Sequence, residues 1–202
     1  MTICIVFAVV AFALSGCEVR EKYVTPEFDH TFIRTVGVSE FHNMTQRNGA
    51  GLYVSRKIDS YLRANSPYKV VSLFYYKPPL ISPGKGPVHL GRDFSRPEGV
   101  ELDALLAGSV DSFHSERGQR GSVYYKRVSL TVNFALIRIS NAETVWQRTF
   151  TEEVEDSHFP SNKLAPYEGL KHYSELFDEA CIAISRKAKA LYPHTETYVS
   201  FK

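Results

Sequence analysis

The sequence predicts an α/β (α+β) domain: a single mixed, largely antiparallel sheet of about five strands with helices packed on it. Three observations carry that expectation. Val128, Leu130, Val132, Phe134 and Leu136 alternate with Ser129, Thr131 and Asn133, and a second alternating run spans Thr144–Val154. This is the period of half-buried strands, and the short Asn141-Ala142-Glu143 turn joins the two runs into a hairpin. Elsewhere the period lengthens. Val54, Ile58, Tyr61 and Leu62 share one helical face, as do Tyr173, Leu176, Phe177, Ala180, Cys181, Ile184, Ala188 and Leu191. Finally, the elements run β, α, β, loop, β, β, β, α, an order best satisfied by helices covering one sheet.

Taken from the start, Thr31 to Phe41 reads as a first strand and Asn43 to Gly49 as a polar loop. The first helix begins at Ala50 and ends before Ser66-Pro67, because the residue before a proline avoids the helical region. Tyr68 to Phe74 is a second strand. Lys77 to Pro97 holds five prolines and three glycines, so regular structure is not expected and proteases should cut there first. Ala104 to Val110, apolar but for Ser109, reads as a buried central strand, and Ser115 to Ser122 reads as a polar turn. Val123 to Ile139 and Thr144 to Val154 form the hairpin, and Glu155 to Pro166 is irregular. The long helix follows, and Thr197 to Phe201 is a short edge strand.

Composition narrows the class. With 202 residues, 44% hydrophobic and 13% aromatic, the chain can bury a sizeable core. A net charge of +2 lacks the basic excess of a nucleic-acid binder. The N-terminus is more informative. Ile3 to Leu14 is an uncharged apolar run, too short to span a bilayer but suited to the core of a secretory signal, although Met1-Thr2 carries no Lys or Arg. The following Leu14-Ser15-Gly16-Cys17 resembles the lipobox of bacterial lipoproteins. That resemblance implies a signal peptide over 1–16, a lipid-attachment thiol at Cys17 carrying palmitate and diacylglycerol, a lipidated tether over 17–30, and a periplasmic domain over 31–202. Two or more acyl chains make a stable anchor. Glu18, not aspartate, follows the cysteine, and this implies the periplasmic face of the outer membrane. Removal of the signal takes Cys4 with it and acylation occupies Cys17, so Cys181 is the remaining thiol, expected to be buried.

Few constellations suggest chemistry. His30, His42, His89, His114, His158, His172 and His194 never fall four apart on a helix or beside a cysteine pair, so no metal site is expected. Gly84-Lys85-Gly86 lacks the strand–loop–helix context of a phosphate loop, and no Gly-x-Ser-x-Gly occurs. Neither an enzyme nor a cofactor is expected. Glu152, Glu153, Glu155 and Asp156 cluster at one strand end. Neighbours on a strand point to opposite faces, which favours a solvated rim; in an oligomer they would form an acidic annulus. Trp146, the lone tryptophan, is a candidate membrane-interface or subunit-contact residue, with a core position as the alternative.

Asp103-Ala104-Leu105-Leu106-Ala107-Gly108-Ser109-Val110 is similar to a strand with Gly-Ser-Val found in the superfamily of the curli secretion lipoprotein CsgG and the polysaccharide export lipoprotein PelC. Val36 to Phe41, the helix after it and Tyr68 to Val71 resemble the first half of such small outer-membrane lipoproteins. The segment Leu136 to Trp146 resembles their hairpin, with Asn141-Ala142-Glu143 where relatives carry Thr-Gly-Glu. The resemblance spans roughly 31–190. It implies a structural, homo-oligomeric part of an envelope export or appendage machine, with envelope proteins as partners. It equally admits a lipoprotein activator of a peptidoglycan synthase, but about thirteen residues between Cys17 and the first strand give little reach across the periplasm. Membrane-spanning strands need about nine to eleven alternating residues without proline. Tyr75 to Pro97 fails on proline and Gly118 to Lys126 on length, so a soluble ring or adaptor is expected, not a barrel pore.

Overall fold

A computed structural model describes residues 18–75, 99–159 and 167–200. Its strands are β1 (Glu18–Val24), β2 (Thr35–Ser39), β3 (His42–Asn43), β4 (Lys69–Leu73), β5 (Ala104–Arg120), β6 (Val123–Arg138), β7 (Glu143–His158) and β8 (His194–Ser200). Helix α1 is Ala50–Asn65 and α2 is Tyr173–Arg186, the latter running into a 3-10 turn at Lys187–Leu191. The main sheet has six strands in the order β4-β2-β5-β6-β7, with β3 attached to β5. β2 is parallel to β4 and β5, while β5–β6 and β6–β7 are antiparallel. The β2–α1–β4 crossover makes the parallel part and the two long hairpins make the rest.

Burial follows the alternation. On one face, Val36, Val38, Ala104, Leu106, Val110, Val128, Leu130, Val132, Phe134 and Leu136 pack with Val54, Ile58 and Leu62 of α1 and Leu176, Phe177, Ala180 and Ile184 of α2. The opposite face holds a smaller cluster of Leu73, Leu102, Leu105, Ala107, Ala135, Ile137 and Ile139. Ala104 to Val110 is buried on both faces because both are covered.

Two glycines let the layers close on Phe41. A Cβ at Gly51, in the first turn of α1, would lie 2.0 Å from the Phe41 carbonyl oxygen, and one at Gly108 would lie 2.3 Å from its ring. Phe41 then meets Phe134 edge-on with 5.6 Å between ring centres.

Several expectations need correction. Residues 18–24, read as part of a tether, are a strand paired through seven positions with β8, from Glu18 opposite Ser200 to Val24 opposite His194. Ser115 to Ser122 is not a turn. β5 continues to Arg120, and only Gly121 and Ser122 reverse the chain, Gly121 with φ 60°. Glu155 to His158 likewise remains in β7. The first strand of the domain is shorter than expected, and the last helix tightens into a 3-10 turn after Arg186. The expected proline-rich loop at 77–97 and the signal and lipobox at 1–17 lie outside the described residues.

Candidate functional site

β5, β6 and β7 are 17, 16 and 16 residues long and stay paired to their far ends as a three-stranded ribbon. The acidic cluster sits on it, divided between the faces as alternation requires. Glu152 and Asp156 point to the helix side. Glu152 pairs with Lys187 at 2.6 Å, and Asp156 accepts the backbone N–H of Lys171 at 2.7 Å. Glu153 and Glu155 point the other way, to Arg127 at 3.0 and 2.7 Å, and Arg120 adds a 3.1 Å contact to Glu155. Glu116 lies 3.6 Å from Arg127 on the same face. The structure therefore divides the four acids between two faces, and each meets a donor of its own chain. A continuous acidic annulus does not follow from this arrangement.

Tyr125 completes the group on the helix-free face. The guanidinium carbons of Arg120 and Arg127 stand 4.5 and 5.4 Å from its ring centre. Gly118 admits the ring, because a Cβ there would come within 2.5 Å of the tyrosine hydroxyl. This glycine looks like turn chemistry in the sequence. Its role is instead close cross-strand packing against Tyr125, the register partner of Gly118.

Trp146 is a core residue. It is 7% exposed, packs 6.2 Å from Phe150 and pairs across the strands with Leu136 on the helix side. The interface reading is set aside, since so little of the indole reaches the surface. Cys17, the proposed lipid site, lies outside the described residues. Cys181 is fully buried, and burial pushes its thiol up to about 12.

The bulge of β5 between Val110 and Ser112 borders a concavity of the surface. Met44, Arg47, Asp111, Phe113 and His114 line an open cleft of about 660 Å³ there. Arg47 lies flat on Phe177, 4.0 Å from the ring centre, and 5.1 Å from that of Phe113. Burial raises the Asp111 carboxyl, while a short hydrogen bond from the Ser109 hydroxyl opposes the rise. Beside the cleft, Lys57 meets Asp178 at 2.6 Å and the Tyr53 hydroxyl donates to the same carboxylate at 2.6 Å. The Lys57 contact, then Tyr53, holds Asp178 below the usual carboxylate range. This carboxylate is fully engaged in joining α1 to α2. None of these residues stood out in the sequence, because their partners lie on distant elements.

The fold is similar to that of the PelC dodecamer from Paraburkholderia phytofirmans, at 18% identity, covering 88% of this chain and 99% of that chain with a TM-score of 0.50. Looser matches include lipoprotein GNA1162 from Neisseria meningitidis, at 11% identity over 77% of this chain and 99% of that chain, TM-score 0.42. A minor lipoprotein from Acinetobacter baumannii matches at 12% identity over 75% and 85%, TM-score 0.40. No family model matches the sequence, and no curated protein does. The chain has a PelC-like fold, as its resemblance implies.

Proposed function

We propose that this chain is an envelope lipoprotein, anchored through acylated Cys17 at the periplasmic face of the outer membrane, which works as a homo-oligomer in an export or appendage-assembly machine. It acts by assembly and binding, not by catalysis. The observation that carries the reading is the likeness of fold to PelC, whose solved form is a dodecamer. Two further features support it. Among the described residues no helix is long and apolar enough to cross a membrane, which suits attachment by lipid. β1 also starts one residue after Cys17, so the domain is held close to the bilayer. The alternative role, activation of a peptidoglycan synthase, asks for reach that a strand paired from Glu18 onward removes.

The length expectation against a barrel pore needs restating, because β5 to β7 are long enough to span. Their far ends carry Glu116, Arg117, Arg120, Lys126, Arg127, Glu152, Glu153 and Glu155, charges that a lipid-facing strand does not hold cheaply. A soluble ring remains the better reading.

Crosslinking in native membranes tests the proposal, with wild type and Cys17→Ala compared. Lipid anchoring confines subunits to a plane and raises their effective concentration. A ladder of oligomers that collapses in the variant is expected. A single monomer band from membranes containing the wild type refutes homo-oligomeric action.

A further inference from the structure

We infer that the free end of the β1–β8 ribbon is a lipid-contact element, seated in the headgroup layer and fixing how the domain stands on the membrane. The inference rests on the acylation of Cys17 proposed above, and extends it from a point anchor to a surface.

The ribbon is unusual within the fold. It is a separate two-stranded sheet, whereas every other strand belongs to the main sheet. Two strands alone are marginally stable in water, so such a ribbon gains from a second surface. Among its mostly polar side chains it also exposes apolar ones. Eight large hydrophobic residues are exposed among those described, and half of them lie here: Val19 at 65%, Tyr23 at 65%, Tyr198 at 47% and Val199 at 51%. Val19 and Val199 are direct cross-strand partners, and Tyr198 is the partner of Arg20. The apolar pair therefore sits at the end farthest from His194, where the ribbon leaves the body.

That end is the one next to Cys17. Acyl chains in the bilayer bring the cysteine backbone to the headgroup level. A strand advances about 3.4 Å per residue, so Val19 lies within about 7 Å of the anchor point. Val199 is held beside it by pairing, although it is 182 residues away in sequence. Branched aliphatic side chains with tyrosines at their border are what an interfacial element presents, the tyrosine keeping an apolar ring and a wet hydroxyl. Charge is not the attraction, because Glu18 and Glu21 offset Arg20 and Lys22 on β1. Both termini of the domain thus meet at the membrane. A flexible tether would let the domain tumble; a paired ribbon entering the interface gives it a set orientation, as a ring of identical subunits needs.

The test uses the full acylated chain carrying Val199→Cys, labelled with an environment-sensitive fluorophore in vesicles of phosphatidylethanolamine and phosphatidylglycerol. Labelling is selective because Cys17 is acylated and Cys181 is fully buried. Ser122→Cys is the control. It sits at the β5–β6 turn, the far end of a 16-residue strand about 50 Å long. The Val199 probe is expected to shift to the blue and to lose emission to doxyl-labelled lipid, with little loss to aqueous iodide. The Ser122 probe is expected to do the reverse. Should the protein fail to float with vesicles, the acylation reading falls and the inference with it. If it floats but iodide reaches the Val199 probe as freely as the Ser122 probe, the anchor stands and the lipid-contact element is overturned. Protection from both quenchers overturns it too, because the ribbon end is then covered by protein. Val19→Cys, at the cross-strand partner on the same face, repeats the measurement should Val199→Cys disturb the strand pairing.

Discussion

At the residue scale, single atoms decide where the layers meet. Phe41 is 1% exposed, caught between the first turn of α1 and the first third of β5, and the two glycines beside it leave no room for a methyl group. The same closeness explains Cys181. Its thiol faces the core from α2, and with its ionisation pushed up to about 12 by burial it is neither a nucleophile nor a metal ligand near neutrality. It should therefore resist thiol reagents between pH 7 and 9 in the folded protein and react at once in denaturant. The linkage has a definite sign. The unfolded thiol ionises near pH 9 and the native one much higher, so the folded state binds more protons in between and loses stability as pH rises through that window. Cys181→Ser is expected to flatten that alkaline slope in urea unfolding. Rapid labelling of native protein would show that the thiol is reached from solvent.

At the element scale, the far ends of the β5–β7 ribbon are joined by the Arg127 cluster on the face away from the helices, while Val128 and Leu130 hold the other face to the core. Arg127 is 21% exposed and reaches carboxylates on both neighbouring strands. Exposed pairs are each worth little, but removing this hub also leaves Glu116, Glu153 and Glu155 facing one another. Arg127→Ala is expected to lower stability by about 1 kcal/mol at low salt, with a smaller difference at high salt. Hydrogen exchange should quicken in Glu116–Arg120 and Glu153–His158 before it does in Ala104–Val110. An unchanged exchange pattern would mean that the backbone ladder alone carries the ribbon. The same elements show what the sequence could tell. Val123 to Ile139 was readable as a strand because its alternation is local, and the amphipathic faces of α1 and α2 were readable for the same reason. Ser112 to Arg120 was not, since this polar stretch is extended only because β6 lies opposite it. β1 was hidden more deeply still. Its seven residues have no strand pattern of their own, and their partner is at the other end of the chain. Among candidate sites, the clustering of the acids was visible in the sequence, but their cations on β5, β6 and the 3-10 turn depend on register and packing.

At the scale of the whole molecule, the two sheets do different work and should come apart. The main sheet and helices share one large core, whereas among the described side chains those of β1 and β8 add no fully buried one to it. Tyr192 marks the divide: it is 4% exposed, belongs to the core and lies two residues before β8. A chain ending at His194 keeps Tyr192, so it should fold with nearly unchanged helical circular dichroism and a Tm within a few degrees of the full chain, given how weakly an isolated two-stranded ribbon is held. It loses every partner of β1 from Glu18 to Tyr23. Those residues should then behave as the flexible tether their composition suggests, with fast hydrogen exchange and cleavage by trypsin at Arg20 or Lys22, which the paired strand resists. On membranes the truncated protein should remain attached through Cys17 while its oligomer ladder weakens, because an anchor without orientation raises local concentration but no longer presents the contact faces in register. Global unfolding of the truncated chain would show instead that the β1–β8 pair is part of the cooperative fold, and that the membrane end of this protein cannot be separated from its body.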